Sequence, residues 1–148
     1  MNIYLGADHR GYQLKEELKN YLRSRNYEAV DLGASQYDAE DDYPDFAKLV
    51  GEKVSADPNN SRGILICGSG AGVAIAANKL KGVRAALAVN SQQAFMLRND
   101  EDVNVLSLSA QLTDLQTVRE IIEVFLKTPF SAEERHRRRV AKVQALDS

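Results

Sequence analysis

The 148 residues are enough for one domain, spanning 1–148, whose core needs no disulfide or metal to hold it. A formal net charge of −2 argues against nucleic acid as the main partner, because it leaves no excess of positive charge for phosphate backbones. With 44% hydrophobic residues and no apolar run near the roughly 20 residues of a membrane span, we expect a soluble protein without a membrane partner. The single cysteine excludes an intramolecular disulfide and favours a cytoplasmic location.

Strand-like and helix-like segments alternate along the whole chain. Short apolar runs predict strands, and apolar residues at helical spacing, such as Leu14, Leu18 and Leu22, predict helices. In chain order we predict a strand over 2–6, a helix over 12–25, a strand over 27–32, a helix over 44–56, a strand over 63–67, a helix over 73–80, a strand over 83–89, a helix over 91–98, a strand over 103–108, and helices over 115–127 and 133–145. This alternation predicts a Rossmann-like α/β fold, a three-layer αβα sandwich around a five-stranded parallel sheet.

The carboxyl ends of the strands are where such sheets bind ligands, at the point where the strand order reverses. Cys67 follows the third strand and precedes a glycine-rich turn into a helix. Unpaired N–H groups and partial positive charge at a helix start stabilise a thiolate, so we expect the pKa of Cys67 to fall below its ordinary value. Such a thiolate would suit a general base near neutral pH. The alternative is a small buried core residue, the usual role of a lone cysteine.

The turn that follows Cys67 reads Gly68-Ser69-Gly70-Ala71-Gly72. Small residues let a ligand approach the backbone, and successive N–H groups form a nest for a phosphate or a developing oxyanion. The turn lacks the features of a dinucleotide fingerprint and of a P-loop. Close packing of helix against strand is the competing explanation.

Asp8 and His9 end the first strand, at the same expected edge. The Asp8 carboxylate could orient or deprotonate a sugar hydroxyl, and His9 could hold a phosphate or transfer a proton. Asp8 could equally cap the following helix, and the two roles are compatible.

A basic cluster lies on the last predicted helix. Arg135 and Arg139 are four residues apart and share one helix face, where two guanidinium groups could clamp a phosphate. A solvated basic face, partly neutralised by Glu133 and Glu134, is the alternative.

Several of these segments together resemble the ribose-5-phosphate isomerase B family, which also contains the subunits of galactose-6-phosphate isomerase. The block GILICGSGAGVAIAANKLKGVRAAL at 63–87 is similar to the hallmark of that family, and GADHRGYQLK at 6–15 is similar to its opening. DYPDFA at 42–47, NVLSL at 104–108 and RHRRRV at 135–140 also correspond. The similarity runs from about residue 2 to residue 143.

The resemblance implies an aldose–ketose isomerase without a cofactor. It implies that Cys67 moves a proton between C2 and C1 through a cis-enediol. It further implies that Ser69 and the amides of Gly70 and Gly72 form the anion hole. It implies Asp8 and Tyr43 as sugar contacts, Asp8 also in ring opening, and His9, Arg135 and Arg139 as phosphate ligands. We also expect Gly68 to bind substrate. It also implies a homodimer, with a tetramer left open, in which the arginines of the C-terminal helix reach the partner chain.

Three positions depart from the pattern of the family. Asp100 and Glu101 stand where the family has a ring-opening His and a sugar-binding Asn, Gln111 where an Arg is frequent, and Glu133-Glu134 where Gly-Gly is usual. From their place before the fifth strand we expect Asp100 to act in acid–base chemistry and Glu101 to bind substrate, both at the rim of the crevice. An ordinary solvated loop is the alternative.

The expected substrate pair is ribose 5-phosphate and ribulose 5-phosphate. The acid pair keeps open an isomerase for another sugar phosphate, such as a hexose 6-phosphate, and a non-catalytic sugar-phosphate-binding protein is the third reading. With two His and one Cys in the chain, no metal-ligand spacing stands out, so we expect no metal.

Overall fold

Five parallel strands form the centre of the molecule in the computed structural model, which describes all residues from 1 to 148. The elements are β1 (Asn2–Ala7), α1 (Tyr12–Ser24), β2 (Ala29–Asp31), α2 (Tyr43–Ala56), β3 (Ser61–Cys67), α3 (Ala71–Ala77), β4 (Ala85–Leu87), α4 (Ser91–Asn99), β5 (Val105–Ser109), α5 (Leu115–Lys127) and α6 (Glu134–Gln144). The strand order is β2-β1-β3-β5-β4, and every neighbouring pair is parallel. The predicted α/β class and five-stranded parallel sheet are confirmed.

Two apolar clusters cover the two faces of the sheet. Along β3, Ile64 and Ile66 face the cluster under α1, α4 and α5, while Leu65 and Cys67 face the cluster under α2 and α3. This alternation is the period of two of a strand, and burial on both faces explains why β3 reads as one continuous apolar run. The three layers of the predicted sandwich are therefore present.

The predicted boundaries differ from the observed ones by one to three residues at most ends. The two edge strands, β2 and β4, are three residues each and shorter than their apolar runs, because each has a neighbour on one side only. The helix α3 begins at Ala71 and so takes up the last two residues of the expected turn. None of the helices is both long and apolar enough to cross a membrane.

A buried charge cluster joins α1 to the sheet. The Lys15 side chain is fully buried, and its Nζ lies 2.7 Å from Asp31 Oδ2 at the end of β2 and 2.9 Å from Glu16 Oε1. Lys19 Nζ lies 2.9 Å from the same Asp31 oxygen. Burial alone works to raise the pKa of Asp31, but the hydrogen bonds from Lys15 and Lys19 outweigh it and hold that pKa below its ordinary value.

Replacing Asp31 by Ala should lower the free energy of unfolding by about 2 kcal/mol at pH 7, because it leaves the buried Lys15 ammonium with Glu16 alone. Since the folded-state pKa of Asp31 is depressed, its stabilising effect is present above its ordinary pKa and is lost as the pH falls through the folded value. Urea denaturation of both proteins at several pH values measures this difference. The exposed Glu28→Ala variant is the control and should change stability by less than about 0.5 kcal/mol. A difference for Asp31→Ala that persists unchanged into strong acid would contradict the assignment.

Candidate active site

The strand order reverses between β1 and β3, and this places two chemically active segments side by side. Ala7 of β1 pairs with Ile66 of β3, so Asp8 and Cys67 are the next residues on adjacent strands. A crevice of about 370 Å³ opens at this point. Its lining includes seven of the residues expected from the sequence: Asp8, His9, Tyr43, Cys67, Gly68, Ser69 and Gly72. Arg10, Asp41, Asp42 and Gln111 complete it.

Cys67 lies at the inner end of this crevice, with 4% of its surface exposed. The backbone N–H of Gly70 donates a hydrogen bond to Cys67 Sγ over 3.2 Å. Gly70 can turn its N–H back toward the sulfur because it adopts the left-handed conformation, with φ +78°. This hydrogen bond fixes the position of the sulfur, the atom that would accept a proton if Cys67 acts as a base.

This hydrogen bond changes one expectation. The anion hole was expected to include the Gly70 amide, but that amide is taken by the sulfur, because the turn folds back on Cys67. The N–H of Ala71 is likewise used within the turn, where it donates to Ser69 Oγ over 3.2 Å. Ser69 is exposed in the crevice and keeps its own hydroxyl proton free for a ligand.

Two serines of β5 hold the turn from behind. Ser107 Oγ donates to the carbonyl of Gly70, and Ser109 Oγ donates to the carbonyl of Gly68 over 2.7 Å. Both serines are buried, and both carbonyls are thereby directed toward the sheet. The turn is therefore fixed before any ligand arrives, which lowers the cost of organising it around a substrate.

Asp8 both shapes the loop and faces the crevice. One carboxylate oxygen, Oδ1, accepts from the N–H groups of Arg10 at 3.0 Å and Gly11 at 3.1 Å. These two bonds form a turn before α1 and are not the helix cap that the sequence left open, because Gly11 is the N-cap residue of α1 and no side chain caps the helix. The second oxygen, Oδ2, has no protein partner, so Asp8 retains an acceptor for a ligand hydroxyl.

His9 is oriented by an acid that the sequence did not single out. Asp41 Oδ1 accepts from the backbone N–H of His9 over 2.9 Å and lies 2.8 Å from His9 Nδ1. Since a carboxylate can only accept, Nδ1 carries the proton, and Nε2 is the nitrogen left for a ligand. Asp41 lies 32 residues further along the chain, in a loop that composition alone marks only as acidic.

The ligand atoms of Asp8, His9 and Asp41 all lie within 4.8 Å of one another. The sequence had suggested no such group, because the third member is distant in the chain. Hydrogen bonds already engage His9 Nδ1, Asp41 Oδ1 and Asp8 Oδ1. In contrast, His9 Nε2, Asp8 Oδ2 and Asp41 Oδ2 have no hydrogen-bond partner, so the expectation of no metal stays a prediction.

The aromatic ring of Tyr43 forms the opposite wall. Tyr43 is the first residue of α2, and a Cβ added at Gly72 would come within 2.7 Å of its ring. The glycine thus lets the ring lie flat against the start of α3, where its hydroxyl group borders the crevice.

Arg10 and Gln111 are lining residues that the sequence analysis did not assign to the site. Both side chains lie against Gly68: a Cβ built there would be 2.8 Å from Arg10 Cδ and 3.2 Å from Gln111 Oε1. The position of Arg10 between His9 and Gly11, inside the expected ligand loop, was a signal that pointed to it.

Four expected site residues lie elsewhere in the same chain, and the expectation that Asp100 and Glu101 border this crevice is wrong for a single chain. They precede β5, whereas the crevice lies where the strands end. Gly63 pairs with Val105 at one end of β5 and Cys67 with Ser109 at the other, a separation of about 13 Å. Arg135 and Arg139 also lie outside the crevice lining, exposed on α6.

Asp100 and Glu101 contact α6 or border it. Asp100 Oδ1 is 3.8 Å from Nε2 of the buried His136, and Glu101 lines a second cavity of about 400 Å³ together with Val140 and Val143 of α6. Arg135 pairs with Glu133 at 2.6 Å, and Arg139 has no charged partner. The four residues thus belong to one surface at the far side of the sheet.

The family model described as ribose/galactose isomerase matches residues 3–143. A probable ribose-5-phosphate isomerase B of Mycoplasma genitalium is 45% identical over 143 residues, covering 96% of this chain and 93% of the relative. The ribose-5-phosphate isomerase B of Mycobacterium tuberculosis is 40% identical over 140 residues, covering 95% of this chain and 86% of the relative.

Solved structures agree with the sequence relatives. The ribose-5-phosphate isomerase B of Mycoplasma genitalium with bound ribulose-5-phosphate superposes with a TM-score of 0.94 at 43% identity, covering 97% of this chain and 94% of that one. The enzyme of Thermotoga maritima gives a TM-score of 0.92 at 36% identity, with 98% of each chain covered. By sequence and by fold, over nearly its whole length, the chain belongs to the ribose/galactose isomerase family.

Proposed function

We propose that the protein is an aldose–ketose isomerase that interconverts ribose 5-phosphate and ribulose 5-phosphate, with Cys67 as the base. The observation that carries the proposal is the N–H of Gly70 donating to Cys67 Sγ inside the crevice. The relatives named ribose-5-phosphate isomerase B, one of them with ribulose-5-phosphate bound, support the choice of substrate.

The reaction moves one hydrogen from C2 to C1. The Cys67 thiolate removes the proton from C2 of the open-chain aldose, and the electron pair of the C2–H bond forms a C1=C2 double bond while the C1 carbonyl oxygen gains a proton. The thiol then returns its proton to C1, and the hydroxyl on C2 loses its proton to leave the ketone. The Ser69 hydroxyl, at the rim of the turn, stabilises the negative charge that develops on these oxygens.

The sugar must first open, because the ring form carries no carbonyl. In our proposal Asp8 Oδ2, which has no protein partner, accepts the proton of the anomeric hydroxyl and returns it to the ring oxygen as the bond between C1 and the ring oxygen breaks. The Oδ1 atom stays bound to two backbone N–H groups, and this fixes the carboxylate in one orientation.

Cys67→Ser should reduce kcat about a thousandfold, because a hydroxyl is a far weaker base than a thiolate. Binding of ribulose 5-phosphate should stay close to that of the unchanged protein, since the substituted atom is not proposed to hold the phosphate. Coupled isomerase assays and calorimetric titration measure the two quantities. A Cys67→Ser protein that turns over at the original rate would overturn the proposed mechanism.

A second copy of the chain completes the site in this proposal. Asp100, Glu101, Arg135 and Arg139 lie outside the crevice lining of their own chain: the two acids precede β5, whereas the crevice lies where the strands end, and the two arginines are exposed on α6. A homodimer that sets the α6 surface of one chain over the crevice of the other would supply two arginines to each phosphate.

Exposed apolar side chains support an interface near the crevice. Ile75 on α3 and Val89 after β4 are 63% and 53% exposed, and both follow or belong to elements at the crevice edge of the sheet. Burial against a partner would remove this surface from water. The exposed Val143 and Leu146 at the end of α6 offer a second apolar contact.

A mixed dimer tests this arrangement. One chain carries Cys67→Ser and the other carries Arg135→Ala with Arg139→Ala, so one of the two sites is intact and the other has lost both contributions. About half of the original activity per mixed dimer is expected, while each parent homodimer is poor. The weakened parent with Arg135→Ala and Arg139→Ala should show a raised KM more than a lowered kcat, because a phosphate clamp binds substrate and transition state alike.

The control for the mixed dimer is Arg138→Ala on the same helix. Arg138 pairs with Glu134 of its own chain and should be dispensable for catalysis. If exchange between the two damaged parents restores no activity, the arginines do not act across chains.

Asp100 and Glu101 favour a second candidate, an isomerase for another sugar phosphate. A carboxylate offers hydrogen-bond acceptors to a ligand, whereas the imidazole that is usual at the position of Asp100 can also offer a donor. Carboxylates also repel a phosphate, so these two acids suit sugar hydroxyls better than the phosphate group.

Asp100→His should raise kcat/KM for ribose 5-phosphate if the acid pair shifts the choice of sugar. Glu101→Asn, alone and combined with Asp100→His, should change the ranking within a panel of pentose and hexose phosphates. Steady-state assays across the panel give the comparison, with Glu28→Ala as the surface control. If kcat/KM is unchanged for all three variants on every sugar, Asp100 and Glu101 play no part in the choice of substrate.

A further inference from the structure

The charge of the crevice poses a problem for the substrate that we propose. Three aspartates line it, Asp8, Asp41 and Asp42, and a sugar phosphate brings up to two further negative charges. Within one chain, Arg10 is the one lysine or arginine in the lining. Like charges a few ångströms apart disfavour binding unless a cation offsets them.

Arg10 is available for such a role. Its backbone N–H is bound to Asp8 Oδ1, but its guanidinium makes no hydrogen bond or ion pair with the protein, although three aspartates share the same crevice. Other arginines of this chain behave differently, for example Arg25 with Glu123 and Arg98 with Asp102. All five N–H donors of Arg10 remain free for a ligand.

The Arg10 side chain packs against Gly68, where the absence of a side chain leaves room for it. We call this position the seat of Arg10. A Cβ at that position would lie 2.8 Å from Arg10 Cδ and 3.2 Å from Arg10 Nη1. The Arg10 side chain therefore lies against Gly68, the residue that follows Cys67 and begins the glycine-rich turn. Gln111 Oε1 is 3.2 Å from the same point and lies on the other side of the seat.

We propose that Arg10 is a phosphate ligand that each chain supplies to its own crevice, and that Gly68 is small in order to seat it. This inference rests on the proposed function for the identity of the substrate, a sugar phosphate monoester. The planar guanidinium presents two parallel N–H groups to phosphate oxygens, a match that a lysine ammonium lacks. Each crevice thus has one cationic phosphate ligand from its own chain, independent of the arginines on α6.

Direct binding tests the proposal without any turnover. Calorimetric titrations with ribose 5-phosphate and with inorganic phosphate should show dissociation constants raised about tenfold to a hundredfold by Arg10→Gln. Arg10→Lys should fall between Arg10→Gln and the unchanged protein. The exposed Arg23→Gln on α1 removes the same charge away from the crevice and should leave both constants unchanged.

A second substitution tests the seat. Gly68→Ala should displace Arg10 and weaken phosphate binding by a similar factor, since its φ lies in the range open to alanine. In the Arg10→Gln background the same Gly68→Ala change should have little further effect, because the two substitutions remove one shared interaction.

The outcomes separate this inference from the proposed function. Phosphate binding that depends on Arg10 in a protein without isomerase activity would keep the ligand assignment and reject the enzyme. Isomerase activity with equal phosphate affinity in the Arg10→Gln and Arg23→Gln proteins would reject the ligand assignment alone. If Gly68→Ala and Arg10→Gln raise the dissociation constant for phosphate independently of each other, Gly68 does not position Arg10.

Discussion

The parallel pairing of β1 with β3 fixes the distance between the two chemical groups that matter most in the crevice. Because Ala7 lies beside Ile66, the next residues, Asp8 and Cys67, leave the sheet at the same edge. Neither strand can slip by one residue without turning its apolar side chains to the wrong face. Burial of β3 on both faces therefore secures the active geometry, and the two apolar clusters are the source of the precision of the site.

The strands, the helices and the site residues that line the crevice were predictable because they depend on local patterns. The apolar run at 63–67 and the glycine turn after it locate Cys67 at the end of a buried strand from sequence alone. The rule that ligands bind where parallel strands end then adds Asp8 and His9. Contacts between distant residues were not predictable. Asp41 meets His9 across 32 residues, and nothing in the acidic loop distinguishes Asp41 from its neighbours.

Asp100 and Glu101 illustrate a different failure. Position before a strand and position after a strand were treated alike, although in a parallel sheet they lie on opposite edges. The structure instead brings Asp100 to α6, the helix that carries Arg135 and Arg139, through its contact with His136. Strand direction, and not the local sequence pattern, decides which edge of the sheet a loop reaches. Gln111 is instructive in the same way, because the cation missing at that position has a counterpart in Arg10 beside it.

The hydroxyls of Ser107 and Ser109 bind β5 to the glycine turn of the crevice although neither serine lines it. Each hydroxyl donates to a backbone carbonyl of the turn. The partial negative charge of that carbonyl would otherwise lie close to Cys67 and to the enediolate that forms in the proposed reaction. A valine or alanine that fits the apolar pattern of β5 equally well would remove both hydroxyl donors and leave the Gly68 carbonyl with the N–H of Gln111 alone. Residues 105 to 109 therefore do more than fill the interior, as hydropathy alone would suggest, because their two hydroxyls also set the electrostatic surroundings of the turn.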